Sequence, residues 1–393
     1  MRKIAFVVQR YGTQVNGGAE YYVRMMAERL AGIYDVTVIT TTAVDYMTWE
    51  KYYRKKRETV NGVKVIRFDA ERGRDMRLFT EMTQILSEKS RRHQKITKKE
   101  WQQWVCSQGP VCPKMAEYIK EKKYEYDVFL FVTYLFYTST VCLPLIKGRA
   151  VFIPTAHDEV YIHLSPFRRL FHMPGHFIFL SEKEGEFVRK TFQNQQIPGT
   201  VSGVGVQLPP YRELPIYQDM DYLVYVGRIC TGKSCDELLR FWEAYKKHNQ
   251  NNLKLVLIGK CEMDLPDTQD LIYRGFVSEE EKFAAIADSM AMLLPSMLES
   301  LCISALEAFA LHVPVIANGH CEVLKEHCRK SNAGLYYENE QEFEAVVNYL
   351  LQHPKQTAVM QENAKAYMEQ NYQWDVILDR FCGVIETVAG QHS

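Results

Sequence analysis

Residues 295–317 read PSMLESLCISALEAFALHVPVIA, and the fold of the surrounding chain is decided by how this stretch is punctuated. The apolar run 290–294 closes at Pro295 as a buried strand reaching its C-terminal end. Glu299 then hangs in a short loop. Residues 304–311 follow as a helix with Leu306, Phe309 and Ala310 on its apolar side and Glu307 near its start. The next buried strand runs over residues 313–317. Two carboxylates therefore project into the space beyond a strand end, which in an open α/β sheet is where ligands bind. Carboxylates only accept hydrogen bonds, so the pair suits a ligand rich in hydroxyls, such as a ribose and a sugar. A solvated loop glutamate followed by a glutamate favoured by the helix macrodipole would show the same spacing, so the decision rests on the rest of the chain.

Upstream, Gly227-Arg228-Ile229-Cys230-Thr231-Gly232-Lys233-Ser234 follows an apolar strand at 221–226 and precedes an amphipathic helix at 234–247. It matches the phosphate-loop pattern Gly-x4-Gly-Lys-Ser/Thr letter for letter, which makes a nucleotide triphosphatase the rival reading. Against that rival, the match lies behind a complete α/β domain. The next strand, 253–258, also ends in Gly259-Lys260 with no Asp to organise magnesium. On either reading, a guanidinium fork and an ammonium suit a diphosphate.

The N-terminal third has the same grammar. Residues 3–8 form an apolar strand and 9–16 a polar loop. Gly17-Gly18-Ala19-Glu20 opens a helix in which Ala19, Tyr22, Val23, Met26, Ala27 and Leu30 share one face, and a strand follows at 35–41. Glycines at a helix start let backbone N–H groups approach a phosphate closely, although the pattern is not Gly-x-Gly-x-x-Gly. The strand at 150–153 leads into Pro154-Thr155-Ala156-His157-Asp158-Glu159. His157 thus lies past a strand end, on the side of the Gly17-Gly18 loop if the sheet is parallel. A His-Asp pair is also a general-base arrangement. Prolines 198, 209, 210 and 215 with Gly199, Gly203 and Gly205 mark a linker, and residues 200–206 read as the first strand of a second domain.

Composition narrows the classes. The chain has 393 residues, room for two domains of ordinary size. Lys plus Arg and Asp plus Glu are both 48, so no global charge argues for nucleic acid. No apolar run approaches the roughly 18 residues of a spanning helix. The ten cysteines show no Cys-x-x-Cys pair and no spacing that suggests zinc, which points to reduced thiols and a cytoplasmic protein. The segments 51–57 (KYYRKKR) and 89–99 (KSRRHQKITKK) are basic. They are either solvated faces or a peripheral contact with an anionic membrane at the inner face.

Glu299-x7-Glu307, flanked by Pro295-Ser296 and Pro314-Val315, together with Arg228, four residues and Lys233 after a strand, resembles the family 4 retaining glycosyltransferases, glycosyl transferases group 1. The resemblance implies a GT-B α/β fold, with two Rossmann-like doubly wound domains facing across a cleft. Residues 1–198 would form the acceptor-side domain and 199–372 the nucleotide-sugar domain, with 373–393 a helix crossing back to the first. It implies transfer of a sugar from a nucleotide diphosphate sugar to a glycan or lipid-linked acceptor, in cell-surface polysaccharide synthesis, with no cofactor and no metal. Arg228 and Lys233 would bind the diphosphate, Glu307 the ribose, and Glu299 and His157 the sugar. Gly17, Gly18, Gly227 and the backbone of Ser300, Leu301, Cys302 and Ile303 would complete the donor site, with Phe276 near the base. The chain departs from the pattern where the family often has Gly-Phe-Gly after the first glutamate, and where a Lys-Gly pair is Lys233-Ser234 here. A GT-B sugar-nucleotide epimerase and a non-catalytic nucleotide-sugar sensor share these features.

Overall fold

The computed structural model describes residues 1–208 and 220–391. It divides into two compact units, Met1–Val204 with Ile377–Ser393, and Gly205–Val376. Each is a Rossmann-like α/β layer structure built on a mainly parallel sheet.

The first sheet contains β1 (Lys3–Val7), β2 (Asp35–Thr41), β3 (Arg57–Val60), β4 (Val63–Phe68), β5 (Val128–Val132), β6 (Ala150–Ile153), β7 (His176–Phe179) and β8 (Gly199–Val201). Their spatial order is β3-β4-β2-β1-β5-β6-β7-β8. Ile4 to Val7 and Val128 to Val132 are wholly buried. Helices cover both faces of such a sheet, so its central strands read as unbroken apolar runs rather than alternating ones. Only β3 runs antiparallel, joined to β4 through Asn61-Gly62, both left-handed (φ 48° and 84°) as a tight two-residue hairpin requires. The stretch between β4 and β5 folds into three helices, Met76–Arg91, Lys98–Gln108 and Pro113–Lys122. Trp104 anchors them, fully buried, stacked on Trp101 at 4.9 Å and donating its indole N–H to Thr83 Oγ1 at 2.8 Å.

Residues 200–206 do not open the second sheet. Gly199–Val201 instead adds β8 to the edge of the first, in parallel register with β7. The Phe177 N–H donates to Pro198 O, and the Ser202 N–H to Phe179 O. An edge strand offers unpaired backbone groups, and this short segment satisfies those of β7 before the chain leaves the unit. Of the residues read as linker, 209–219, with Pro209, Pro210 and Pro215, lie outside the described residues.

The second sheet contains β9 (Tyr222–Val226), β10 (Lys254–Ile258), β11 (Leu271–Gly275), β12 (Ala291–Leu294), β13 (Val315–Asn318) and β14 (Gly334–Tyr337). All pairings are parallel in the order β11-β10-β9-β12-β13-β14, the doubly wound 3-2-1-4-5-6 arrangement. The last helix, Trp374–Gly390, packs its 377–389 portion within the first unit. Phe381 stacks on Phe6 at 6.2 Å, and Glu386 accepts from Arg2 Nε at 2.6 Å. Among the described residues no helix is long and apolar enough to cross a membrane. Truncating the fully buried Phe381 to Ala is expected to destabilise the first unit by about 3–5 kcal/mol, read as a lower urea midpoint for its unfolding transition.

Candidate functional site

The second sheet reverses its direction of growth between β9 and β12, so the loops after these two strands diverge and leave a crevice at their C-terminal ends. After β9 the chain passes Gly227 and Arg228 and makes one 3-10 turn, Thr231–Lys233. It enters the helix Cys235–His248 through Ser234 in the left-handed region (φ 54°). The Arg228 side chain is exposed, while its carbonyl accepts the Tyr225 hydroxyl at 2.7 Å. After β12 comes the loop that carries Glu299. The Lys233 ammonium donates to Glu299 Oε1 at 2.6 Å, and the two side chains are only 30% and 17% exposed. Burial alone would draw the lysine pKa down, but the Glu299 charge and hydrogen bond outweigh it, and the group is held above its ordinary value.

Beyond Glu299, Ser300 is half-buried and Leu301 buried. Cys302 adopts φ 64°, and Ile303 begins the helix Ile303–Ala310. Burial, with the Glu299 charge, pushes the Cys302 thiol up to about 12. Glu307 lies in that helix, buried, and accepts from Lys282 Nζ at 3.1 Å. Burial raises its pKa against the opposing charge of Lys282. Lys282 also bonds Glu279 at 2.9 Å, and two carboxylates beside it keep it protonated despite its burial. Phe276, just past β11, is 73% exposed. Its loop is pinned by Arg274, whose Nε and Nη2 reach Glu281 Oε1 at 3.2 and 2.9 Å.

In the first unit Gly17 caps and Gly18 opens the helix Gly18–Leu30. A Cβ at Gly17 would overlap the Glu20 carboxylate, which forms a buried pair with Arg10 at 2.6 Å. His157 follows β6, with Nε2 3.5 Å from Glu159 Oε1. In place of the His157-Asp158 pairing read from the sequence, Asp158 bonds His163 at 2.6 Å, and the carboxylate near His157 is that of Glu159. Behind this loop the buried Glu184 accepts the Ala156 and Leu180 N–H groups, both at 2.6 Å. Burial pushes its carboxyl up to about 8, against those two bonds and the influence of His157.

The structure therefore brings Lys233 to Glu299, and Glu307 to Lys282 rather than to either. Sequence reasoning missed Lys282 and Glu184. Lys282 ends the acidic run Ser278-Glu279-Glu280-Glu281, and nothing in that run points to a partner 25 positions on. The phosphate-loop alternative is not favoured: β10 is followed by Gly259-Lys260 rather than by an Asp, and the carboxylate after β12, Glu299, is bound to the lysine itself. A 440 Å³ hollow lined by Lys3, Asp35, Arg57 and Lys64 lies where β1, β2 and β4 begin, away from the strand ends that carry the loops, and Lys64 there is bonded to Asp35 at 2.7 Å.

Residues 211–367 match the family model for glycosyl transferases group 1. The glycosyltransferase 1 domain-containing protein 1 of Xenopus tropicalis is 28% identical over 167 residues, 39% of this chain and 47% of that protein. The chain spans about half the length of the curated relatives it matches. Sucrose-phosphate synthase from Thermosynechococcus elongatus superposes with a TM-score of 0.74 at 15% identity over the whole of both chains. The HepE protein of Anabaena, solved with UDP and glucose, gives 0.68 at 13% identity over 98% of this chain and 100% of that one. The architecture is that of the GT-B glycosyltransferases.

Gly259, just past β10, packs against the backbone of Gly227. At φ 131° it occupies backbone space that side chains rarely adopt, and a Cβ there would overlap the Gly227 carbonyl oxygen. Gly259→Ala is expected to cost about 2 kcal/mol or more in the second unit. It should also displace the Arg228 loop, measured by chemical unfolding and by loss of nucleotide binding.

Proposed function

We propose that this protein is a retaining glycosyltransferase that moves a sugar from a nucleotide diphosphate sugar to a glycan or lipid-linked acceptor, in cell-surface polysaccharide synthesis. The observation that carries the reading is the Lys233–Glu299 bond at the crevice of a sheet that matches the glycosyl transferases group 1 model. An incoming diphosphate competes with Glu299 for the Lys233 ammonium. Once the lysine turns to phosphate, the carboxylate is released to accept a hydroxyl of the donor sugar.

In the proposed mechanism Arg228 and Lys233 stabilise the negative charge growing on the departing diphosphate, as preorganised cations in a partly dry site. Glu307, bonded to Lys282, holds the ribose hydroxyls. Glu299 and His157 hold the sugar while positive charge builds at its anomeric carbon. Front-face substitution suits this set. The acceptor hydroxyl bonds to the anomeric carbon as the bond to the diphosphate oxygen breaks, and its proton passes to that leaving phosphate. Configuration is retained without an enzymatic nucleophile. The two side-chain cations supply the charge that a divalent metal would otherwise bring, so the reading calls for none.

Contact with an anionic membrane surface belongs to the same proposal. Lys95, Lys98 and Lys99 are exposed in the second basic segment, whereas Arg91 and Arg92 pair with Glu88, and Lys89 with Glu100. Sedimentation with liposomes should then depend on anionic lipid content.

Arg228→Ala and Lys233→Ala are each expected to lower turnover by about 100-fold or more, a loss of roughly 2.7 kcal/mol or above in transition-state stabilisation. The assay is slow hydrolysis of, or transfer from, nucleotide sugars first selected by thermal shift, with EDTA present. Magnesium-dependent hydrolysis of ATP or GTP, with Glu307→Ala fully active, would instead establish the triphosphatase.

A further inference from the structure

Directly behind the loop that follows Glu299 lies a histidine that the mechanism above does not use. His327, on the helix Glu322–Ser331, is 3% exposed. Its Nε2 lies 2.8 Å from the Leu301 carbonyl oxygen and its Nδ1 3.0 Å from the Tyr367 hydroxyl. Tyr367, on the helix Pro354–Asn371, is in turn 3.4 Å from the Tyr372 hydroxyl. The ring of Phe309 closes the cluster, edge-on to Tyr367 at 5.7 Å.

The chemistry of the partners fixes the ring's tautomer. A carbonyl oxygen can only accept, so Nε2 carries the hydrogen and donates to Leu301. Burial pulls the imidazole down to about 4, so at neutral pH the ring is uncharged and has a single N–H. Nδ1 is then an acceptor and takes the Tyr367 hydroxyl proton in a hydrogen bond.

The consequence follows from peptide geometry. The Leu301 C=O and the Cys302 N–H belong to one planar trans unit and point in opposite directions. Drawing the carbonyl inward to His327 turns the Cys302 amide away from that ring. Cys302 then sits at φ 64°, a conformation that residues other than glycine resist. Rotating this one peptide unit would relax Cys302 to negative φ and turn its N–H inward.

We infer that His327 is a positioning residue: it latches the Leu301–Cys302 peptide in the strained orientation that presents the Cys302 N–H to the donor. The donor-binding part of this statement rests on the reading of the 300–303 backbone given above. The latch itself does not.

A thermal double-mutant cycle on the full-length chain tests the latch without any ligand. With His327 present, Cys302→Gly removes the strain. In His327→Phe the peptide has already rotated, and the same substitution relieves nothing. Loss of the buried thiol is common to both legs and cancels. The latch predicts that the effect of Cys302→Gly on Tm is more favourable beside His327 than beside Phe by about 3 °C or more. Additive shifts would overturn it. Tyr367→Phe, which removes the donor to Nδ1 and spares the ring, should show the same coupling at smaller size, and serves if His327→Phe does not fold. Calorimetry with UDP and UDP-glucose reads the second half. His327→Phe should bind UDP within about twofold of wild type and lose about tenfold of the ratio favouring UDP-glucose, with Cys302→Gly restoring part of it. An unchanged ratio would refute the donor role of the amide. Wild-type protein that binds neither probe would count against the donor reading for a uridine nucleotide, while the thermal cycle still decides the latch.

Discussion

Parallel pairing of β9 with both β10 and β12 is the constraint on which the site depends. It sends three strands to the same rim, and the reversal of order at β9 keeps the loops after β9 and β12 from closing over each other. Lys233 and Glu299 are 66 positions apart, and no local preference joins them. The sheet does. A lone half-buried ammonium or carboxylate would be penalised by desolvation, so in the absence of ligand each serves as the other's counter-ion. On the proposed mechanism the same pair doubles as the receptor for a charged, hydroxyl-bearing ligand, because both partners already stand where phosphate and sugar would replace them.

The second pair obeys the same physics at a different depth. Glu307 is more deeply buried than Glu299, and Lys282 balances its charge from a helix whose first turn is otherwise acidic. Glu279 on that helix also bonds Lys282, so the lysine is divided between an outer and an inner carboxylate. Such an arrangement holds Glu307 in one geometry, with the Lys282 charge opposing the upward shift that burial imposes on its carboxyl. On the proposed mechanism, an acceptor fixed in this way is what recognition of vicinal hydroxyls requires.

Much of this was legible in the chain because parallel strands buried on both faces are short apolar runs, and the residues that punctuate them carry the chemistry. The boundaries of β2 and β6 coincide with those read from the sequence, Gly17 and Gly18 mark a helix start, and Gly227 and Gly259 follow strand ends. The helices between β4 and β5 were missed although one carried a periodic signal: Phe79, Met82 and Leu86 fall at helical spacing on the buried face of Met76–Arg91, while the packing of Phe79, Trp101 and Trp104 on one another and on Tyr161 joins groups far apart in the chain. The basic segment at 89–99 reads as a run of one sign only if Glu88 and Glu100, which flank and neutralise part of it, are left out. Lys282, Glu184 and His327 were hidden because each has a partner 25 or more positions away, Glu307, the Ala156 N–H and the Leu301 carbonyl, in elements whose packing the sequence does not specify.

The departures from the family pattern turn out to be physically located rather than scattered. Ser234 stands where the resemblance expects the glycine of a Lys-Gly pair, and Cys302 where it expects the second glycine of Gly-Phe-Gly; both adopt left-handed φ, at 54° and 64°. Each position holds a backbone conformation best suited to glycine with a residue that is not glycine, at about 1–2 kcal/mol. Strain of this kind persists only where neighbouring interactions over-determine the geometry. Ser234 directly follows Lys233, whose ammonium is tied to Glu299, and Cys302 follows Leu301, whose carbonyl is tied to His327. The two strained turns therefore stand on either side of one ion pair, each held by a bond from the residue just before it. A side chain at these positions also narrows the loop conformations open to the chain compared with glycine. Side chains at these two positions therefore disfavour the arrangement in which Lys233 and Glu299 meet, and the bonds of Lys233 and Leu301 must hold it against that bias.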